Sequence, residues 1–353
     1  MAYTTIDKPS DYFNTVLYTS NNGSSPRTIS GVGFQPDFVW VKNRDDANYN
    51  HVLNDSVRGL NKILSSDTTG AELAANHAGG YISSANSDGF VVTAGSSNLS
   101  NYDTGTNKQV VWNWLASNST ASNEDGSITS TVSANTTSGF SIVSYTGNGT
   151  SGATVGHGLS SSLGMLIVKS RSEARNWSVF HQSNGGTKNL SLDTTDAVEV
   201  NAARWNNTAP TSSVFTLGNS TPVNNNGITY VAYCFAEKKG YSKFGSYTGN
   251  GNASGPYIYT GHKPAAIIIK RTDVAKNWYI NDNLREGYNN DNPYISPNLS
   301  VAETGGTEID ILSNGFRITA SGTGHNQSGG TYIYASIAAN PFVTSSGVPA
   351  CAR

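Results

Sequence analysis

Charge is scarce in this chain. Only 13% of its 353 residues are Asp, Glu, Lys or Arg, about half of the ~25% common in globular domains. The 22 basic residues are scattered and balanced by 24 acidic ones, leaving a net charge of −2. Phosphate backbones are held by clustered Lys and Arg, so no nucleic-acid partner is expected. Long apolar runs are missing too. The longest, around Ala265 to Ile269, is strand-sized and far short of the ~18–20 residues of a membrane span, so no membrane insertion is expected. The opening MAYTTIDKPSDYF lacks the basic and apolar regions of a secretory signal. Two cysteines, Cys234 and Cys351, make no disulfide framework, and Cys234 in VAYCFA reads as a small core residue. Helical periodicity is nearly absent: DSVRGLNKIL, Asp55 to Leu64, is a single short helix or turn at best.

Aromatic residues are plentiful, with 18 Tyr, 11 Phe and 6 Trp, which a disordered chain would not carry. The polar surface is made of Ser, Thr, Asn and Gly. Gly and Asn supply positive φ, and Ser/Thr hydroxyls satisfy turn amides, a composition suited to short strands joined by tight turns.

Four anchors recur three times in the same order. A Tyr leads into a Gly/Asn turn (Tyr18, Tyr145, Tyr247); an apolar strand ends in Lys (FVWVK at Lys42, MLIVK at Lys169, AIIIK at Lys270); a turn leads into Phe (Phe90, Phe215, Phe316); a closing strand ends in Ala (Ala116, Ala236, Ala338). The Tyr-to-Lys intervals are 24, 24 and 23 residues, the Lys-to-Phe intervals 48, 46 and 46, and the Phe-to-Ala intervals 26, 21 and 22. Agreement over three consecutive intervals indicates duplication. A fifth anchor, an aromatic after Asn, is read at Tyr49, Trp177 and Trp278.

FSIVSY and NWSVFH alternate apolar and polar as half-buried strands do, whereas FVWVK, MLIVK and AIIIK are continuously apolar, as expected of strands buried on both faces. The expected fold class is all-β, three tandem antiparallel β-sandwich domains of jelly-roll or lectin-like type. The expected boundaries are an N-terminal arm (1–11), repeat 1 (12–116), a Ser/Thr/Asn-rich linker holding at most one edge strand (117–138), repeat 2 (139–238), repeat 3 (239–340) and a C-terminal arm (341–353). Either arm has the composition to lie across a neighbour.

These phrases resemble a module of virion structural proteins from tailed bacteriophages of the marine and cyanophage type. The likeness rests on MAYTTIDKPSDYF, GFQPDFVWVKNRDDANY with the following DSVRG, the SDGF turn and GTYIYASIAANPF, and it covers nearly the whole chain. It implies a lectin-like jelly roll in a tail fibre, spike or capsid-decorating protein, located on the virion and assembled in the bacterial host cytoplasm. The partners implied are other virion proteins and further copies of the chain as a homo-oligomer, with host-surface carbohydrate as a ligand in the adhesive form of that reading. No catalytic set is implied.

One stretch of the chain has the outline of a catalytic motif. GTEIDILS resembles the Glu-x-Asp-x-x-Glu strand of laminarinase-like glycosidases, where two carboxylates act as nucleophile and acid/base. Glu308 and Asp310 match, but Ser313 stands in the third position, and without that acid the leaving group is not protonated. The expectation is therefore no enzyme and no catalytic residues. His51, His77, His157, His181, His262 and His325 are mostly isolated, and His157 and His262 occupy equivalent turns. No His-x-x-x-His, Cys-x-x-Cys or calcium loop occurs, so neither metal nor cofactor is expected. Tyr49, Trp177 and Trp278 fit sugar-stacking platforms, yet once-per-repeat recurrence favours a core role. Lys42, Lys169 and Lys270 read as strand-end charges that cover an edge or pair with a neighbouring loop. No ligand-binding residue is singled out. The runner-up functions are capsid decoration, free glycan binding and polysaccharide hydrolysis.

Overall fold

A computed structural model describes residues 3–23, 25–285, 289 and 291–350. Cys351 lies outside the described residues. The chain is nearly all β, in several antiparallel sheets. The first repeat holds β1 Phe13–Thr19, β2 Arg27–Ser30, β3 Phe38–Asn43, β4 Val52–Asp55, β5 Tyr81–Asn86, β6 Gly89–Thr93 and β7 Lys108–Trp114. Then come β8 Ala121–Asn123, β9 Ser130–Asn135, β10 Phe140–Thr146, β11 Thr154–Gly156, β12 Leu163–Ser170, β13 Ser178–His181, β14 Lys188–Ser191, β15 Glu199–Val200, β16 Val214–Thr216 and β17 Thr229–Ala236. The third repeat holds β18 Ser242–Thr248, β19 Tyr257–Tyr259, β20 His262–Arg271, β21 Trp278–Asp282, β22 Ile309–Leu312, β23 Gly315–Ile318 and β24 Thr331–Pro341. Among the described residues helix is confined to a 3-10 turn at Pro9–Asp11 and two single turns, α1 Ala202–Trp205 and α2 Thr221–Asn224. Asp55 to Leu64 ends a strand and turns without forming a helix.

One strand order appears three times. β1-β7-β3-β4 and β18-β24-β20-β21 are four-stranded sheets, and β10-β17-β12-β13 is the same order inside an eight-stranded sheet. The extra strands come from two places. β14 and β15 extend one edge, and β9 and β8 extend the other. Residues 117–138 thus differ from the expected linker, because their β-branched and apolar positions build a hairpin. Ile128 and Val132 are buried in the core of the second repeat.

Each repeated sheet faces a smaller one: β2-β6-β5, β11-β16 and β19-β23-β22. The Gly-Phe anchor explains their close pairing. A Cβ on Gly89 or Gly315 would lie 2.0 Å from the carbonyl oxygen of Ile29 or Ile258 on the paired strand, so no side chain fits there. In the second repeat the glycine has moved to the opposite strand, as Gly156 facing Val214. The Phe that follows is fully buried each time.

The continuously apolar strands are buried on both faces, and strict alternation sends their side chains to two different cores. Val39 and Val41 join the local core with Ile29 and Phe90. Leu166 and Val168, then Ile267 and Ile269, do the same in the other repeats. Phe38, Trp40, Met165, Ile167 and Ala266 point the opposite way, into one cluster drawn from all three repeats. Trp112, Trp114, Tyr233 and Phe244 fill its centre, with Phe38 stacked on Tyr233 at 4.3 Å between ring centroids. A cavity of ≈ 30 Å³ remains among these side chains. It is lined by apolar and aromatic residues and has room for no more than a water or two, a packing gap rather than a ligand pocket.

The arms pack on their own chain. Ile6 enters the central cluster. The Tyr3 hydroxyl donates to the Gly261 carbonyl, its ring meets Phe342, and Asp7 accepts from the backbone of Ser345 at 2.6 Å.

Candidate functional site

The Tyr anchor is a hydrogen-bonded lock, buried at Tyr145 and half-buried at Tyr18 and Tyr247. Each tyrosine hydroxyl donates to a backbone carbonyl just before the closing strand: Tyr18 to Tyr102, Tyr145 to Val223 and Tyr247 to His325, at 2.5, 2.7 and 2.8 Å. The next residue in each case is Asp103, Asn224 or Asn326, whose side-chain oxygen accepts the turn amide of Asn21, Asn148 or Asn250. An acceptor aimed at a turn N–H satisfies a group that burial would otherwise leave unpaired.

The Lys anchors stand near strand ends and pair with loops, but they are buried. Lys42, Lys169 and Lys270 are at most 1% exposed. Strand alternation puts each on the side of the central cluster, and a loop of a neighbouring repeat meets Lys169 and Lys270 there. Lys169 Nζ donates to Thr69 of repeat 1 and to Arg175; Lys270 Nζ donates to Thr195 of repeat 2 and to Lys276. Lys42 Nζ donates to the carbonyls of Asn43 and Tyr49. Burial pulls all three ammonium groups down to about 8.

The aromatic anchor needs one correction. Trp177 immediately precedes β13, and Trp278 lies opposite Lys270 in the register of β20 and β21. The residue in that place beside β4 is His51, not Tyr49, because Val52 pairs with Val41. The hydrogen bonds agree. Trp177 Nε1 donates to Ser65 of repeat 1, Trp278 Nε1 to Ser191 of repeat 2, and His51 Nε2 lies 3.1 Å from the carbonyl of Ser296 in repeat 3. His51 Nδ1 accepts from Trp40, so its proton sits on Nε2. Tyr49 is a half-buried turn residue.

The contacts close in a cycle: a loop of repeat 1 docks on repeat 2, one of repeat 2 on repeat 3, and one of repeat 3 on repeat 1. Two of these junctions carry buried ions. At the first, Arg58 and Asp55 form a fully buried pair, Glu72 bonds both Arg58 and Arg171, and the Tyr233 hydroxyl donates to Asp55 at 2.8 Å. At the junction of repeat 3 with repeat 1, Arg285 bonds Asp282 at 2.7 Å, Glu303 bonds Arg285 and Arg44, and Trp112 Nε1 donates to Asp282 at 3.0 Å. At the remaining junction His181, Val198, Thr272 and Ala335 stand in the corresponding places, and the link is His181 Nε2 to the Tyr334 carbonyl at 3.0 Å. The recurring Asp-x-x-Arg of DSVR and DNLR was the sequence signal for these pairs, visible in only two repeats of three.

The sequence-nominated carboxylates do not form a paired acid site. Asp310 is held by Arg317 at 2.6 Å. Glu308 is half-buried, one of its oxygens is buried without a hydrogen-bond partner, and burial together with Asp291 raises its carboxyl. Ser313 lies in the turn between β22 and β23. His157 caps a turn as expected, accepting the Leu159 amide at Nδ1, while His262 opens β20 and meets the Ser336 hydroxyl. Burial holds His51, His262 and His325 at about 3 and His181 at about 4. Among the described residues no group of three His, Cys, Asp or Glu is placed to hold a metal ion, and no helix is long and apolar enough to cross a membrane.

A family model described as a domain of unknown function, DUF7483, matches residues 8–341, across all three repeats. No curated protein matches the chain.

Proposed function

The chain belongs to the DUF7483 family, and from that premise we propose that it is a non-catalytic structural component of a phage virion, tail-associated or part of a tail fibre. In this reading three jelly-roll-like sandwiches are fused into one rigid body. The observation that carries it is the shared interior: the largest core cluster draws on all three repeats, and the ion pairs Glu72–Arg171 and Glu303–Arg44 run from one repeat to the next. A chain whose repeats share one core and are tied by ion pairs is suited to bearing load and presenting a fixed outer surface. The family model supports the same unit, since it spans the triplet and not a single repeat. The non-catalytic reading is supported by Asp310 being engaged with Arg317 and by Ser313 at the position of the missing acid.

Mass spectrometry of purified particles tests the proposal. Peptides of this chain are expected at stoichiometric levels, and their absence from particles while present in the lysate overturns it. Labelling particles with an antibody to the chain then separates tail from capsid surface. If polysaccharide is cleaved by the wild type and not by Glu308→Gln, the non-catalytic reading fails.

A further inference from the structure

The three small sheets carry equivalent strands, and the register identifies matching positions. Ser30 faces Gly89, Gly156 faces Val214 and Tyr259 faces Gly315, so Thr28, Thr154 and Tyr257 also correspond. Between them Ile29, Val155 and Ile258 point inward and are buried in all three repeats. The outward pair is Thr and Ser in repeat 1, Thr and Gly in repeat 2, and two tyrosines in repeat 3. Tyr257 and Tyr259 are 46% and 53% exposed. The difference continues across the sheet: Tyr257 lies opposite Arg317, which lies opposite Asp310. The same row in repeat 1 is Thr28, Val91 and Ser84. Arg317 is 45% exposed on its side chain and bonds Asp310.

The fold does not need these side chains, because Ile258, Ile309, Ile311, Phe316 and Ile318 supply the core beneath. Both rings are nevertheless held at their hydroxyl ends. Tyr257 donates to Asn314 Oδ1 at 2.5 Å. The Tyr3 hydroxyl gives its proton to Gly261, so the 3.0 Å contact with Tyr259 uses the Tyr259 proton. Aromatic faces fixed in advance and turned to water lose little entropy on binding. Beside them stand a guanidinium and a carboxylate, planar groups that hydrogen-bond in pairs.

We propose that this outer face of β19, β23 and β22 is a saccharide-binding surface, with Tyr257 and Tyr259 stacking on sugar C–H faces and Arg317 and Asp310 bonding adjacent hydroxyls. A sugar ring presents the matching alternation, an apolar face rimmed by hydroxyls. The proposal rests on the adhesive form of the virion reading. The whole chain is applied to an array of bacterial lipopolysaccharide and capsule oligosaccharides, as wild type, as Tyr257→Thr with Tyr259→Ser, as Arg317→Ala, and as Thr28→Ala with Ser30→Ala. The Thr/Ser graft copies the outward residues of repeat 1, where the same strand forms with them. The wild type and the repeat 1 variant are expected to bind alike. The tyrosine graft is expected to bind at least about tenfold more weakly, equivalent to about 1.4 kcal/mol, with Arg317→Ala also weakened. No array signal from the wild type, or equal binding by the tyrosine graft, overturns the proposal. Phage carrying the graft are expected to incorporate the chain normally and adsorb more slowly. Failed incorporation with unchanged array binding would make the face an assembly contact and overturn it as well. Absence of the chain from wild-type particles is read separately by mass spectrometry and counts against the virion reading, leaving the array result standing.

Discussion

The junction of repeats 1 and 2 and the junction of repeats 2 and 3 do the same mechanical task with different physics. The first joins the buried Asp55 and Arg58 to the half-buried Glu72 and Arg171 in a connected network. The second puts His181, Val198 and Thr272 in those places and relies on Trp278, Lys270 and backbone hydrogen bonds, such as Val198 N to the Thr272 carbonyl at 2.9 Å. Since both junctions form in one molecule, buried ions are not required to close the cycle. That agrees with the general finding that a buried ion network contributes little beyond an apolar replacement, while a broken one is costly.

The comparison breaks first at Arg58. Arg58→Ala leaves Asp55 and Glu72 without their shared cation and is expected to cost ~3–5 kcal/mol in urea unfolding. Asn184→Ala, three residues after His181 as Arg58 is after Asp55, should stay within ~0.5 kcal/mol. A larger loss at Asn184 than at Arg58 would reverse the assignment of roles. On the neutral side the corresponding weight falls on packing. Trp278→Ala is expected to cost ~3–5 kcal/mol and to raise amide exchange in β20 and β21 before β3 and β4. The milder test transplants one junction into the other. Glu72→Val with Arg171→Thr copies Val198 and Thr272 and leaves Arg58 bonded to Asp55 and to the Leu53 carbonyl. The double change is expected to shift stability by no more than ~1 kcal/mol, whereas Glu72→Val alone strands Arg171 and costs more.

Much of this architecture was legible in the sequence, and the reasons differ by residue. The spacing of Tyr18, Lys42, Phe90 and Ala116 and their counterparts survives because each position serves the fold locally: a hydroxyl to a carbonyl, an alternating buried strand, a glycine too close to a neighbouring carbonyl for any side chain. His51 was missed because matching by aromatic type selects Tyr49, while matching by register selects the residue opposite Lys42. The hairpin in residues 117–138 reads as a linker with at most one edge strand because its Ser and Thr content outweighs two buried apolar positions, Ile128 and Val132. The three lysines are legible as strand-end residues, yet Lys169 and Lys270 are capped by a loop about 75 to 100 residues away, which no local pattern encodes. The junction ions have the same cause for concealment, since Glu72 meets Arg171 across 99 positions. The exposed Tyr257 and Tyr259 stand out only once their counterparts in the other repeats are fixed by strand register.

Acid offers the finest separation of the two kinds of junction. The His181 imidazole gives its Nε2 proton to the Tyr334 carbonyl and accepts the Ser183 amide at Nδ1, so a second proton has no acceptor. Burial accordingly holds it at about 4, against an ordinary value of 6.5. As pH falls from 6.5 the unfolded chain takes up this proton before the folded one, and stability declines down to about 4. Glu72 behaves oppositely in range: burial pushes its carboxyl up, but its two arginines outweigh that and hold it below the usual value of 4.5, so the ionic junction keeps its full contribution down to 4.5 and loses it only as the pH falls from there through that lower point. Between 6.5 and 4.5 the neutral junction therefore loosens while this ionic one holds. His51, also held low, adds a loss of its own at the junction of repeats 3 and 1. The urea midpoint followed across that interval is expected to fall less steeply in His181→Gln than in the wild type, with exchange in β20, β24 and β13 rising ahead of exchange in β4 and β12. An unchanged slope in His181→Gln would mean that the histidine at the neutral junction does not respond to acid, and that the other buried histidines account for the decline.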